Sequence, residues 1–242
     1  MKFFKPKFWD KNKISLFAIL LFPIAFVINV ISKFQKKVFK TNSFSIPVIC
    51  IGNIYLGGTG KTPLSIEVLS ILKNLGKKPA FIKKKYKFVE DEINLQKKYG
   101  PVYTGKKRVN AINEAINNNI NVAVLDDGYQ DFSIKKDFSI ICFNSNQLIG
   151  NGFLIPSGPL RESFKSIKRA DCIFINGNKN IKFENKIKNI NKNIKIFYSK
   201  YKIKNLENFK NKKVVAFAGI GNPSNFFQLL KENNINEKKS YS

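Results

Sequence analysis

Apolar residues fall along this chain in two different ways. From Ile14 to Ser32 they run almost unbroken, ISLFAILLFPIAFVINVIS, with no charge. Beyond Lys40 they come as short β-branched bursts separated by amphipathic stretches. Bursts near 46–51, 79–82, 122–126, 139–143, 171–175 and 213–218 predict strands, and segments near 62–75, 107–118, 163–169 and 223–232 carry a helical period. Uniformly apolar strands are buried on both faces, which is the habit of parallel sheets. The alternation therefore predicts an α/β domain: a mostly parallel sheet with helices on both faces. The Asn/Lys-rich stretch from 176 to 212 reads as an inter-domain region.

As a helix, the first run reaches about 28 Å at ~1.5 Å per residue, close to the hydrocarbon thickness of a bilayer. Pro23 and Asn29 are tolerable in such a helix. Lys2, Lys5, Lys7, Lys11 and Lys13 flank one side, with Phe8 and Trp9 as interfacial anchors, and Lys33, Lys36, Lys37 and Lys40 flank the other. A membrane helix is the expectation. Because both flanks are basic, a spanning helix, an interfacial one and one entering a single leaflet all stay open, and a buried soluble helix is the alternative. The expected division is a membrane anchor over 1–40, a catalytic domain over 41–205 and the start of a smaller C-terminal α/β domain over 206–242.

Composition narrows the chemistry. The formal charge is +27, yet Arg108, Arg161 and Arg169 are the only arginines. Nucleic-acid readers favour arginine for bidentate contacts, and these lysines are spread evenly, so no nucleic-acid partner is expected. The basic excess reads as solvated faces or as a surface for anionic lipid. Cys50, Cys142 and Cys172 sit inside apolar runs, without metal or disulfide spacing. There is no histidine, so proton transfer falls to Asp, Glu, Lys or Tyr.

The strand expected at 46–51 leads into GNIYLGGTGKTP and then an amphipathic helix closed by Gly76. Strand, glycine-rich loop and helix is the context of a nucleotide phosphate cradle. Backbone N–H groups converge on phosphate at the positive end of the helix. Lys61 is expected to reach the β- and γ-phosphates, and the Thr62 hydroxyl to ligate Mg²⁺. Tyr55 departs from the generic pattern, which places glycine there.

A second apolar run, Asn121–Leu125, ends in Asp126-Asp127-Gly128. Carboxylates at the end of a buried strand suit a Walker-B position facing the metal, although paired aspartates before glycine also make turns. Leu154–Glu162 is a proline-braced loop carrying Arg161 and Glu162. Gly219-Ile220-Gly221-Asn222-Pro223 follows a strand and opens a Phe-rich helix.

In this order the segments VICIGNIYLGGTGKTP, DDGYQ, LIPSGPLRE and AGIGNPSNFF resemble the tetraacyldisaccharide 4′-kinase family, the lipid A 4′-kinases of Gram-negative envelopes. The resemblance runs over essentially the whole chain. It implies transfer of the ATP γ-phosphoryl group to the 4′-hydroxyl of a lipid A disaccharide 1-phosphate, with Mg²⁺. It also implies a phosphate-loop fold, placement on the cytoplasmic face of the inner membrane, and no protein partner. The family's nucleotide loop falls on Tyr55, Leu56, Gly57, Gly58, Thr59, Gly60, Lys61 and Thr62. Its metal residues fall on Thr62, Asp126, Asp127 and Glu162, and its catalytic residues on Asp91, Lys61 and Asp127.

Three departures mark this chain. FIKKKY stands where the family carries Ser-Arg-Gly-Tyr, Asp131 stands where it carries histidine, and its Pro-Asp-His segment would fall just past Ser242. The chain therefore reads as truncated. A non-catalytic nucleotide- or lipid-binding member, or another membrane-associated phosphate-loop NTPase, is the alternative; a GTPase would need Asn-Lys-x-Asp, which is missing.

Overall fold

The computed structural model describes residues 6–9, 14–38, 40–86, 90–209, 212–219 and 223–241. Its centre is a seven-stranded sheet built from β1 (Val48–Gly52), β2 (Pro79–Lys84), β3 (Val102–Gly105), β4 (Val122–Asp126), β5 (Phe138–Asn144), β6 (Cys172–Asn176) and β7 (Lys195–Ser199). The spatial order is β3-β2-β4-β1-β5-β6-β7, and every pairing is parallel. The chain turns left of β1 first and right of it after β4. The crevice above β1 and β4 is thus a topological switch point, where α/β sheets bind ligands.

Both faces of the sheet are covered. On one, α2 (Lys61–Asn74) sets Leu64 and Leu69 against Ile51, Phe81, Val124 and Cys142. On the other, α4 (Arg108–Asn117) sets Ala111, Ile112 and Ala115 against Ile82, Ala123 and Leu125. Each large aliphatic side chain so buried contributes about 1.5–3 kcal/mol. Pro63 sits in the first turn of α2, where its missing N–H costs nothing. Gly76, at φ 72°, closes the helix: its N–H bonds the Lys73 carbonyl while that of Lys77 bonds Leu72. The three cysteines are buried and unbridged, and burial pushes the Cys50 thiol up to about 12.

Several elements differ from the sequence expectation. The strands β3 and β7 and the helices α3 (Glu90–Lys97) and α5 (Ile181–Lys188) were unforeseen, because each is short and polar on most of its surface. The polar stretch from 176 to 212 is no simple linker: Phe183 and Ile187 of α5 pack into the main core, and β7 forms the edge of the sheet. Residues 164–169 form a 3₁₀ turn rather than an α-helix.

The N-terminal helix α1 (Leu16–Val38) exists, but among the described residues no helix is long and apolar enough to cross a membrane. The expected spanning anchor is therefore not found. Instead α1 is fastened along one side to the body: Ala18 and Ala25 are buried, and the Ser157 hydroxyl donates to the Ala18 carbonyl. Phe22 meets Phe153 edge-on at 5.7 Å, and Trp9, buried just ahead of the helix, donates its Nε1–H to the Pro156 carbonyl at 3.0 Å.

After β7, a small unit pairs β8 (Lys213–Phe217) with β9 (Asn236–Tyr241) in parallel across α6 (Pro223–Glu232). Ala216, Leu230 and Ile235 form its core. Residues 220–222, inside AGIGNPSNFF, lie outside the described residues.

Candidate active site

The loop from Asn53 to Gly60 is held by its own buried polar side chains. Asn53 donates its side-chain N–H groups to the Gly57 carbonyl at 3.2 Å and to Thr59 Oγ1 at 3.0 Å, and Gln130 donates to the Asn53 carbonyl at 2.8 Å. The 154–162 segment clamps the outer arm: Leu56 N–H bonds the Pro159 carbonyl at 2.8 Å, and Arg161 N–H bonds Ile54 at 2.7 Å. Tyr55 needs no left-handed backbone here. It bridges Leu160 as a strand would, and its fully buried ring lies under Gly57. That is why an aromatic residue stands where the generic loop has glycine.

Gly60 caps α2 with φ 89° and, as a glycine, offers no side-chain cap to the N–H groups of the first turn. A Cβ there would lie 2.9 Å from Asn176 Nδ2. Glycine thus lets the loop bend close while the helix end faces open space, the arrangement that receives phosphate.

Register places Asp126 beside Ile51, so the carboxyl ends of β4 and β1 meet. Asp126 Oδ2 accepts from Thr62 Oγ1 at 3.3 Å, from Gln96 Nε2 at 2.9 Å, and from the Lys83 ammonium at 3.2 Å. Its Oδ1 is buried and has no partner among the described residues. Burial raises the Asp126 carboxyl above its usual range against the pull of Lys83 and Lys61. Burial also works against the Lys83 ammonium, but Asp126 and Glu92 outweigh it and hold the lysine protonated above its ordinary value.

Asp127, held at φ 58°, turns to the other side. Arg161 Nη1 bonds both of its carboxylate oxygens, at 2.8 and 3.0 Å, and Lys61 Nζ lies 3.8 Å away. Burial opposes ionisation of Asp127, yet Lys61 and Arg161 prevail and keep the carboxyl below the usual range.

These groups open into a cavity of about 1550 Å³. The whole of Leu56–Thr62, Asp126, Asp127 and Arg161 lines one wall. Asp91, Glu92 and Tyr86 line another, and Val215, Phe217, Phe226 and Leu230 of the C-terminal unit give a third, apolar wall. Asp91 lies in the first turn of α3 and is exposed to this space.

The structure brings Lys61, Thr62, Asp91, Asp126 and Asp127 to one cavity, with Tyr55 behind its lining. Glu162 is not brought there. The chain bends at both residues: Arg161 lines the cavity, whereas Glu162 is buried away from that lining, its Oε2 2.6 Å from Arg169 Nη2. Arg169 in turn stacks over Tyr129 and Phe132 at 4.5 and 4.7 Å. Sequence reasoning missed Arg161, Lys83 and Gln96 as site residues. Arg161 was visible as half of a charged pair, while Lys83 was hidden in a run of lysines.

The residues fit a magnesium ion. Thr62 and Asp126 offer hard oxygen donors, one of them a buried carboxylate oxygen with no partner. Among the described residues no group of three or more metal-ligating side chains occurs. Magnesium is commonly held by one or two carboxylates together with substrate phosphates.

The sequence family described as LpxK, tetraacyldisaccharide-1-P 4′-kinase, matches residues 17–94 and 89–242. The tetraacyldisaccharide 4′-kinase of Pelagibacter ubique (strain HTCC1062) is 44% identical over 238 residues, spanning 97% of this chain and 76% of that one. The enzyme of the same name from Francisella tularensis subsp. novicida (strain U112) is 31% identical, spanning 95% of this chain and 82% of its own. Among solved structures, LpxK from Aquifex aeolicus in complex with ATP superposes with a TM-score of 0.71 at 23% identity, covering 94% of this chain and 82% of that one.

Proposed function

Since the chain belongs to the tetraacyldisaccharide-1-P 4′-kinase family, we propose that it moves the γ-phosphoryl group of ATP to the 4′-hydroxyl of a tetraacyldisaccharide 1-phosphate. One observation carries the assignment of roles: Lys61, Arg161 and the open end of α2 converge on one side of Asp127, while Thr62 and Asp126 close the other. Phosphoryl transfer is mostly positioning and charge stabilisation, and these groups supply both.

The N–H groups of the loop and of α2 bind the phosphates, and Lys61 neutralises the β- and γ-oxygens. Arg161, held by Asp127 through Nη1 alone, bonds the transferring group with its other N–H groups. Thr62 and Asp126 hold Mg²⁺, which neutralises charge on the phosphates when bound. Asp91, at the cavity wall, orients the acceptor hydroxyl and takes its proton. The new bond joins the 4′-oxygen to phosphorus as the bond to the β–γ bridging oxygen breaks, and ADP leaves.

The acceptor lies in a bilayer, and α1 suits such a surface. Phe17, Leu20, Ile24, Phe26, Val27 and Ile31 are exposed on it, and a continuous apolar surface of this kind marks a membrane or partner site. With one side fastened to the body, α1 sits in the interface of the inner membrane's cytoplasmic leaflet, where the basic excess meets anionic lipid.

The test is product identity. After incubation with ATP and the disaccharide 1-phosphate in mixed micelles, the lipid should carry a second phosphomonoester at the 4′-position. Hydrolysis of ATP to free phosphate with the lipid unchanged would refute the assignment.

A further inference from the structure

The roles above leave Lys83 without one, although its position is costly. Its side chain is 3% exposed at the end of β2. A buried ammonium costs several kcal/mol unless it is paired, and Lys83 has two partners of unlike kind. Asp126, 2% exposed, lies beneath it at 3.2 Å. Glu92, 54% exposed, bonds it from the rim, on the first turn of α3 beside Asp91.

Asp126 thus directs one oxygen to three donors from three elements and leaves the other without a partner among the described residues. A dication arriving beside Thr62 and Asp126 meets a fixed ammonium on the same carboxylate, and like charges repel strongly in a dry site. The lysine has somewhere to go, because its flexible stem already places Nζ against Glu92.

We propose that Lys83 is a positioning residue that occupies the metal's side of Asp126 in the metal-free protein and shifts wholly to Glu92 when the metal–nucleotide binds. The shift draws the first turn of α3 inward and brings Asp91 to the acceptor only once the donor is loaded. The inference rests on the reading of Thr62 and Asp126 as the metal's residues.

The experiment titrates Mn²⁺ with ADP into the full chain, follows free Mn²⁺ by its paramagnetic signal, and measures hydrogen–deuterium exchange over residues 90–97. In the wild type, exchange there should slow on loading. Lys83→Met should bind Mn²⁺ about tenfold more tightly, a gain of roughly 1.4 kcal/mol, with α3 no longer responding. Glu92→Gln, at the exposed rim, should also abolish the α3 response, and it covers the case in which Lys83→Met fails to fold. A response of α3 in either folded variant equal to the wild type's overturns the proposal, as does unchanged or weaker Mn²⁺ binding by folded Lys83→Met. If the wild type binds no Mn²⁺ with ADP, the metal-site reading itself fails, and this inference fails with it.

Discussion

Arg161 grips Asp127 through both carboxylate oxygens, at 2.8 and 3.0 Å, on a loop that also clamps the backbone of the phosphate-binding turn. One segment thereby sets both the shape of the nucleotide loop and the position of a cation beside it. Removing the guanidinium should act on turnover more than on binding, because a preorganised charge is worth most in the transition state. Arg161→Ala is expected to lower kcat about 10²–10³-fold while nucleotide affinity changes less than about tenfold. Steady-state label transfer with a parallel nucleotide titration checks this; a loss confined to affinity would assign Arg161 to ground-state binding alone.

Tyr55 occupies the position of the generic loop's first glycine, with its ring fully buried under Gly57. Restoring the generic residue should therefore harm the protein. Tyr55→Gly is expected to destabilise it by about 3–5 kcal/mol, the usual cost of emptying an aromatic site in a core, without tightening nucleotide binding. Denaturant unfolding measures the first effect and nucleotide titration the second.

These two residues also show what could be read from the sequence. β1 and β4 were legible because strands buried on both faces are apolar throughout, and GGTGKT between strand and helix admits few other uses. The edge strand β7, KIFYS, buries its side chains only partly, so its signal was lost among the surrounding lysines and asparagines. Helix α3, EDEINLQK, has no apolar face to read: among its residues only the side-chain amide of Gln96 is buried, bonded to Ser65 and Asp126. Lys83 looked like any other lysine of FIKKKY, since a buried charge is recognisable only when its distant carboxylate is in place. Glu162 lies off the lining of the cavity that holds Asp126 and Asp127, and a sequence pattern does not say which of two adjacent side chains faces it.

Asp131 pairs with Arg108 at 3.1 Å and bonds Ser133. Burial works against its ionisation, but the Ser133 hydroxyl and Arg108 outweigh burial and lower its carboxyl below the ordinary 3.8. A carboxyl depressed in the folded state contributes stability above its unfolded pKa and loses it as the pH falls through the folded value. The stability gap between the wild type and Asp131→Asn should thus be constant near neutrality and shrink below about pH 4. Urea unfolding across the acid range measures it; a gap that widens with acid would show the opposite sign of shift.

Leu20 and Ile24 are exposed on α1, at 65% and 52%, away from the buried Ala18 and Ala25. Leu20→Asp with Ile24→Asp should leave the melting temperature nearly unchanged and weaken binding to anionic vesicles at least about tenfold, since apolar burial and lipid charge both drive interfacial binding. Vesicle flotation reads this directly, and undiminished binding would move the membrane contact off α1.

In the proposed mechanism this cavity transfers phosphate to a lipid, with Lys61 holding the donor and Asp91 addressing the acceptor. The most direct measurement follows labelled γ-phosphate from ATP onto the disaccharide 1-phosphate in detergent micelles, with the wild type beside Lys61→Ala and Asp91→Asn. Label should reach the lipid with the wild type, fall by about 10²-fold or more in each variant, and nucleotide binding should weaken only in Lys61→Ala. Unlabelled lipid with the wild type, or transfer undiminished by either substitution, would contradict it.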